Sequence, residues 1–301
     1  MRGNDGIMKM LNLLAELILR ILVTVVQRVP VSAALQIGEA IGIFGYLVVP
    51  RRKRTALENL HHAFPDKRDA ELRQIVFDMG KNLGRNMMEF FRLPAMKLAD
   101  IERYIEFEGL ENLDKALAEG KGAFILTAHF GNWDLVAASM AFKGYRTNLV
   151  TKYLKSELLN KLWLDYRKRV KVNIMYREGS LKDIVRHLKA NEIMGFVLDQ
   201  NTKREEGVFV NFFGRPACTI PSLAALSERL EVPVVPGFII RKHGPYHKVI
   251  FEPALTFQKR DNLDEGIVYN TQIYTDVMER YIRQHPDHWI WLHHRWKTQP
   301  K

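Results

Sequence analysis

AFILTAHFGNWDLVAA, residues 123–138, is the stretch from which the fold can be read. A short apolar run ends in a polar turn, His-Phe-Gly-Asn, and a second apolar segment follows at helical spacing. A strand that hands over to a helix in this way brings a histidine, His129, and a carboxylate, Asp134, to one end of a sheet. In α/β proteins that end is where ligands bind.

The same alternation continues on both sides of the turn. Apolar and β-branched runs predict strands over 104–108, 123–127, 147–151, 172–176, 193–198, 232–241 and 247–252. Amphipathic spacing predicts helices over 110–119, 133–142, 156–170, 181–190, 220–230 and 266–284. Repeated strand–helix units call for an α/β fold with a largely parallel or mixed central sheet flanked by helices. Upstream, 55–64 and 69–93 read as helices separated by Pro65-Asp66, which stops the first.

The N-terminal part differs in character. Residues 10–29, MLNLLAELILRILVTVVQRV, hold only Glu16, Arg20 and Arg28 as charges. The stretch has the length of a membrane span, but two of its charges fall mid-helix, so it reads as a membrane-associated helix or a buried core helix. A second apolar segment, 33–50, carries Gly38, Gly42 and Gly45, which permit close helix packing or shallow membrane contact. Arg51-Arg52-Lys53-Arg54 follows, a basic run that fits either an anionic leaflet or a solvated helix start. Two regions result: residues 1–50, hydrophobic membrane-associating helices, and residues 51–301, the α/β domain.

Composition sets outer limits. With 301 residues, 47% hydrophobic and 26% charged, the chain is neither disordered nor a polytopic membrane protein. The single cysteine, Cys218, excludes an internal disulfide framework. A net charge of +11 favours polyanionic or acidic partners without choosing among them. A nucleic-acid-binding protein would interleave aromatics with Lys and Arg on one face; here the aromatics sit within apolar runs.

The spacing His-x4-acid is not informative alone. Ten histidines and 34 acidic residues make about one such pair expected by chance, and four occur: His61/Asp66, His129/Asp134, His187/Glu192 and His247/Glu252. Context separates them. His61 lies at a helix end, His187 on an amphipathic helix facing solvent, and His247 and Glu252 on opposite faces of one strand. Only His129 follows an apolar strand, meets a glycine turn and precedes a helix. If Gly131-Asn132 makes a tight turn, Asp134 bonds one imidazole nitrogen and raises the basicity of the other, which then takes a proton from a hydroxyl. The alternative is a buried histidine at a helix cap.

TAHFGNWDL resembles the His-x4-Asp block of glycerolipid and lysophospholipid acyltransferases. ENLHHAFPD (58–66), LDQNTKREEGVFVNFFGRPACT (198–219), VPVVPGF (232–238) and HPDHWIWLHHRWK (285–297) resemble, in order, the late lipid A acyltransferases of bacteria, the lauroyl/myristoyl transferase branch. The resemblance spans about residues 50–298, and the hydrophobic N-terminus also fits. It implies that residues 51–301 form an acyltransferase domain on the cytoplasmic face of the bacterial inner membrane. It implies acyl carrier protein, itself acidic, as thioester donor, and a hydroxyl of a glycolipid, a lipid A precursor, as acceptor, with no cofactor. His129 and Asp134 are then catalytic, and Cys218 is not a nucleophile. Arg167 and Arg177 are the arginines expected at the oxyanion or a phosphate. Many members of the lipid A branch carry glutamate where this chain has Asp134, so another glycolipid, an aminolipid or a lysophospholipid stays open as acceptor.

Gly131, Asn132, Asp199, Phe212, Phe213, Gly214 and Thr219 are expected around the substrate cleft. Gly214 allows close backbone approach, and Phe212 and Phe213 form either the floor of an acyl groove or plain core. Asp199, at the C-terminal end of a strand, is expected to organise the site rather than react. Trp289, Trp291 and Trp296, interleaved with His293, His294, Arg295 and Lys297, read either as an interfacial tail or as a lid on the core. His293-His294 has no companions at metal-ligand spacing, so no metal is expected.

Overall fold

The computed structural model describes residues 17, 20–151, 153, 156–176 and 181–301. Residues 20–28 form helix α1, followed by α2 (Val31–Val48), α3 (Pro50–Ala63) and α4 (Asp69–Arg92). The α/β part then runs α5 (Leu98–Tyr104), β1 (Ile105–Glu108), α6 (Leu110–Ala118), β2 (Ala123–Thr127), α7 (Trp133–Phe142), β3 (Thr147–Thr151), α8 (Glu157–Arg169), β4 (Val172–Tyr176), α9 (Leu181–Lys189) and β5 (Ile193–Val197). A hairpin, β6 (Val208–Phe212) and β7 (Arg215–Thr219), precedes α10 (Ser222–Leu230), β8 (Val234–His243), β9 (Tyr246–Phe251) and α11 (Leu263–Gln284).

Seven strands form one sheet in the order β1-β9-β8-β2-β5-β3-β4. All neighbours are parallel except β8 and β9, which form an antiparallel hairpin. The sheet is thus mixed, and β2 is central, between β8 and β5. All five residues of β2 are buried, as an apolar strand covered on both faces requires. Phe124 and Leu126 join a cluster with α3, α4, α9, α10 and α11. Ala123 and Ile125 point the other way, into a cluster with α5, α6 and α7. That period-two division makes β2 the seam between two cores.

Two segments differ from the sequence reading. Residues 208–219 are an antiparallel hairpin with the two-residue loop Phe213-Gly214, both at positive φ (53° and 76°), the geometry favoured between twisted strands. Pro50, the last residue of the apolar segment in the sequence, opens α3 as its first residue, where its missing N–H costs nothing. Arg51–Arg54 therefore form the first turn of α3; Arg52 donates to the Leu292 carbonyl and Lys53 lies over the Tyr46 ring.

Among the described residues the long apolar helix is α2; of the 10–29 stretch, residues 10–16, 18 and 19 lie outside them. Gly38 and Gly42 of α2 meet Gly84 and Gly80 of α4, and a Cβ on Gly38, Gly42 or Gly84 would fall under 3.0 Å from the opposite backbone. Close packing is thus the role of Gly38 and Gly42, whereas Gly45 has nothing within 4 Å. The outer side of α2 stays uncovered: Phe44 is 64% and Leu47 67% exposed, flanked by Ile37, Ile41 and Val48.

Candidate active site

Register brings the site together. Thr127 of β2 lies opposite Val197 of β5 in a parallel pair. His129 and Asp199 each follow two residues later, so both leave the same end of adjacent strands, about 5 Å apart in the sheet. His129 Nδ1 is 2.9 Å from Asp199 Oδ1, and the His129 backbone N–H donates to Asp199 Oδ2 at 3.1 Å. The Trp289 indole N–H donates to the same Oδ2 at 2.6 Å. Asp199 is 2% exposed, whereas the His129 side chain is 26% exposed and remains open to a partner. The Gln200 amide lies 3.3 Å from Nδ1 and 3.4 Å from Nε2.

The charges follow from this packing. Burial alone would raise the Asp199 carboxyl, but the His129 ring and the donors around it overcome that and hold it down at about 2. Burial would lower His129, but Asp199, with a smaller contribution from Asp134, raises it above the ordinary histidine value. A carboxylate on Nδ1 fixes the tautomer, and Nε2 is the nitrogen left to accept a proton.

The expected partnership of His129 with Asp134 takes a different form. Asp134, in the first turn of α7, hydrogen-bonds Arg167 of α8 through Nε at 2.8 Å and also through Nη2. The α8 guanidinium, 4% exposed, lies 3.5 Å over the Trp163 ring. Five residues on from His129, the chain has turned into the helix and carries Asp134 toward α8, so it acts on the imidazole through space while Asp199 holds it directly. Arg167 thus sits beside the site, in an ion pair. Arg177 lies outside the described residues.

The turn itself is strongly braced. Gly131 has φ +56°, and a Cβ there would strike the Ile239 carbonyl, so glycine is required. Its N–H donates to the His288 carbonyl at 2.8 Å, and Ile290 N–H donates to the His129 carbonyl at 3.2 Å. Asn132 caps α7 by accepting from Leu135 N–H, worth about 1 kcal/mol.

The remaining expected cleft residues are packed away. Phe212, Phe213 and Thr219 are 0%, 5% and 0% exposed. Phe212 stacks on Trp296 and meets Trp289 edge-on; Phe213 meets Phe64 and Trp291. They form core rather than an open groove wall. Gly214 has open space where a Cβ would go, so the turn, not close approach, calls for glycine. Trp289, Trp291 and Trp296 are buried, which makes the aromatic segment a lid on the core and overturns the interfacial reading. Its backbone is held from α3, where Asn59 donates to the Trp291 and His293 carbonyls. His187, expected to face solvent, instead bonds Glu192 at 2.7 Å.

Gln200 and Glu89 are site-side residues with no place in the sequence reading, and Trp289, placed there in the tryptophan segment, gains a role at Asp199. Gln200 directly follows an expected position, Asp199. Glu89 carried no signal, being one charge on an amphipathic helix. Among the described residues, no group of three or more His, Cys, Asp or Glu side chains gathers as a metal site.

A histidine held by a buried carboxylate, at the C-terminal ends of central parallel strands, has the geometry to draw a proton from a nucleophile. The profile of the family described as bacterial lipid A biosynthesis acyltransferase matches residues 7–298, and the chain belongs to that family. It is similar to the lipid A biosynthesis acyltransferase of Haemophilus influenzae, 24% identical over 80% of this chain and 75% of the relative. It is equally similar to the lipid A biosynthesis palmitoleoyltransferase of Escherichia coli, 24% identical over 88% and 85%. A phosphatidylinositol mannoside acyltransferase of Mycobacterium tuberculosis is 27% identical over 72% of this chain and 68% of its own.

Proposed function

We propose that the chain transfers a fatty acyl group from an acyl carrier protein thioester to a hydroxyl of a lipid A precursor, with His129 as general base. The observation that carries this reading is the Asp199–His129 pair, whose Nε2 remains for the incoming hydroxyl, in a chain of this family. The hydroxyl takes the place of the Gln200 amide beside Nε2. His129 removes its proton as the oxygen attacks the thioester carbonyl. The C–O bond forms, the C–S bond breaks, and the imidazolium returns its proton to the leaving thiolate. The Asp134–Arg167 pair and the N-terminus of α7 supply the local field, with Arg167 the positive charge that faces the developing oxyanion.

The exposed apolar side of α2, Ile37, Ile41, Phe44, Leu47 and Val48, supports seating the enzyme on a membrane. The basic first turn of α3 beside it suits an anionic surface and supports a seat on the cytoplasmic face of the inner membrane. The net positive charge suits an acidic carrier protein. Asp134, where many lipid A enzymes have glutamate, and the mannoside-acylating relative favour a second reading, the same chemistry on another glycolipid.

The test is radiolabelled acyl transfer from acyl carrier protein to a tetra-acylated lipid A precursor, with His129→Ala alongside. Transfer that vanishes in His129→Ala supports the reading. Activity retained by that variant removes the general base, and transfer only to another lipid removes the acceptor.

A further inference from the structure

Helix α4 carries three polar side chains at spacings of four and three residues, Asn82, Asn86 and Glu89, so they share one face. That face is turned inward. Asn82 donates to Asp287 Oδ2 at 2.9 Å. Asn86 donates to the Gly131 carbonyl at 2.7 Å. Glu89 Oε2 accepts from Asn132 Nδ2 at 2.7 Å. Each bond lands on the His129 turn or on the 287–290 segment that braces it.

The stripe is locked from the other side by Arg241 of β8. Its guanidinium forks onto both Glu89 oxygens, at 2.6 and 2.7 Å, and reaches Asn86 Oδ1 at 2.7 Å. Its backbone N–H donates to His288 Nε2 at 3.1 Å. Glu89 and Arg241 are 7% and 8% exposed. A buried pair of this kind stabilises little against an apolar replacement, and fixing one geometry is its best-attested use. His247 Nε2 lies 3.6 Å from Glu89 Oε1 without a hydrogen bond; burial holds that ring down at about 4, so at neutral pH Arg241 alone supplies the positive charge.

We propose that Glu89 and Arg241, with Asn86 and Asn132, are positioning residues that fix the 129–132 turn so that His129 stays aligned on Asp199. Their side chains bond to one another, to the Gly131 and Gly244 carbonyls and to the Leu135 N–H, not to the His129 ring or the Asp199 carboxylate. Asn132 is the link, since its Oδ1 caps α7 while its Nδ2 is tied to Glu89. Gly131 is held through its carbonyl by Asn86 and through its N–H by His288, and His288 itself is set by the Arg241 backbone. The turn therefore sits between α4 and β8 as in a jig. This inference rests on His129 being the general base.

The decisive variant is Asn132→Ser, because serine still caps a helix but is too short to reach Glu89. Loosening a catalytic group by under an ångström gives an expected fall in kcat of about 10- to 100-fold, with KM for both substrates within about two-fold. The groups facing His129 are Asp199, Asp134 of α7 and His293 of the C-terminal segment. As Asp199 loses its hold, the rising limb of the pH–rate profile moves to lower pH. Glu89→Gln, which keeps the shape and removes the charge, gives the same pattern independently of the cap. A role confined to folding would lower the active fraction and Tm and leave the limb in place, and that result overturns the proposal. Wild-type kcat in both variants, with His129→Ala inactive, overturns it while leaving the general base standing. An active His129→Ala enzyme overturns both.

Discussion

Asp199→Asn separates the two carboxylates near His129. The substitution keeps the shape and removes the charge that the imidazole faces at 2.9 Å. Burial then acts on the ring against only the smaller pull of Asp134, and His129 falls from above the ordinary histidine value toward or below it. In addition, an amide N–H turned toward Nδ1 favours the tautomer with the proton on Nε2, where a base needs its lone pair. A wrong tautomer at such a histidine costs about 10⁴ in kcat in the serine-protease template. A fall of about 10³- to 10⁴-fold is expected here, a barrier about 4–5.5 kcal/mol higher. Stability should drop by about 1–3 kcal/mol, because the Trp289 indole and the His129 N–H lose a charged acceptor. Asp134→Asn differs in kind. It leaves the Arg167 guanidinium buried without its carboxylate, a loss of about 3–5 kcal/mol in folding, with a smaller effect on the pH limb. Acyl-transfer rates between pH 5 and 9, alongside urea unfolding, measure both. An Asp199→Asn enzyme within about ten-fold of wild type, its limb unmoved, together with a dead but folded Asp134→Asn enzyme, would refute the assignment of Asp199 as the orienting group.

Acid unfolding should expose the same pair. Asp199, held at about 2 against an ordinary 3.8, contributes about 2 kcal/mol above pH 4 that is lost as pH falls toward 2. His129, being raised, contributes below pH 6.5 and loses that contribution as pH rises through its folded value, so the ion pair counts most near pH 4–6, and His129→Gln unfolding curves should converge on wild type at high pH. Gly42→Ala and Gly84→Ala should each destabilise by about 1–3 kcal/mol by wedging α2 from α4, whereas Gly45→Ala, with open space around it, should be neutral or slightly stabilising; thermal melts decide. Phe44→Glu with Leu47→Glu should cut sedimentation with anionic vesicles while leaving Tm within about 2 °C, since both side chains are already in solvent.

Local pattern carried the α/β framework, because period-two runs and helical stripes are properties of neighbouring residues. The bounds of β2, α7, β3 and β4 come out residue for residue. The His129 turn was legible for the same reason, since strand, glycine and helix are contiguous. Partnerships were not. Asp199 stands 70 residues from His129 and Trp289 90 from Asp199, and only strand register joins them. Asp134, close in sequence, was the natural choice of partner, yet helix geometry directs it to α8. Glu89 has no local signature because its mate, Arg241, is 152 residues away. The β6–β7 hairpin escaped because its loop, Phe213-Gly214, lacks the usual Asn-Gly signature.

The carboxylate of Asp199 gathers donors from two segments that are remote from it and from each other along the chain. Contacts of such long range form late, because closing large loops must precede any reward. Helices and single strands of this protein will form before β2 and β5 are in register, and until they are, His129 has no Asp199. Activity is thus a clock for the last step of assembly. In a refolding experiment, far-UV circular dichroism should recover first and acyl transfer only afterwards, with Trp289 fluorescence keeping time with transfer.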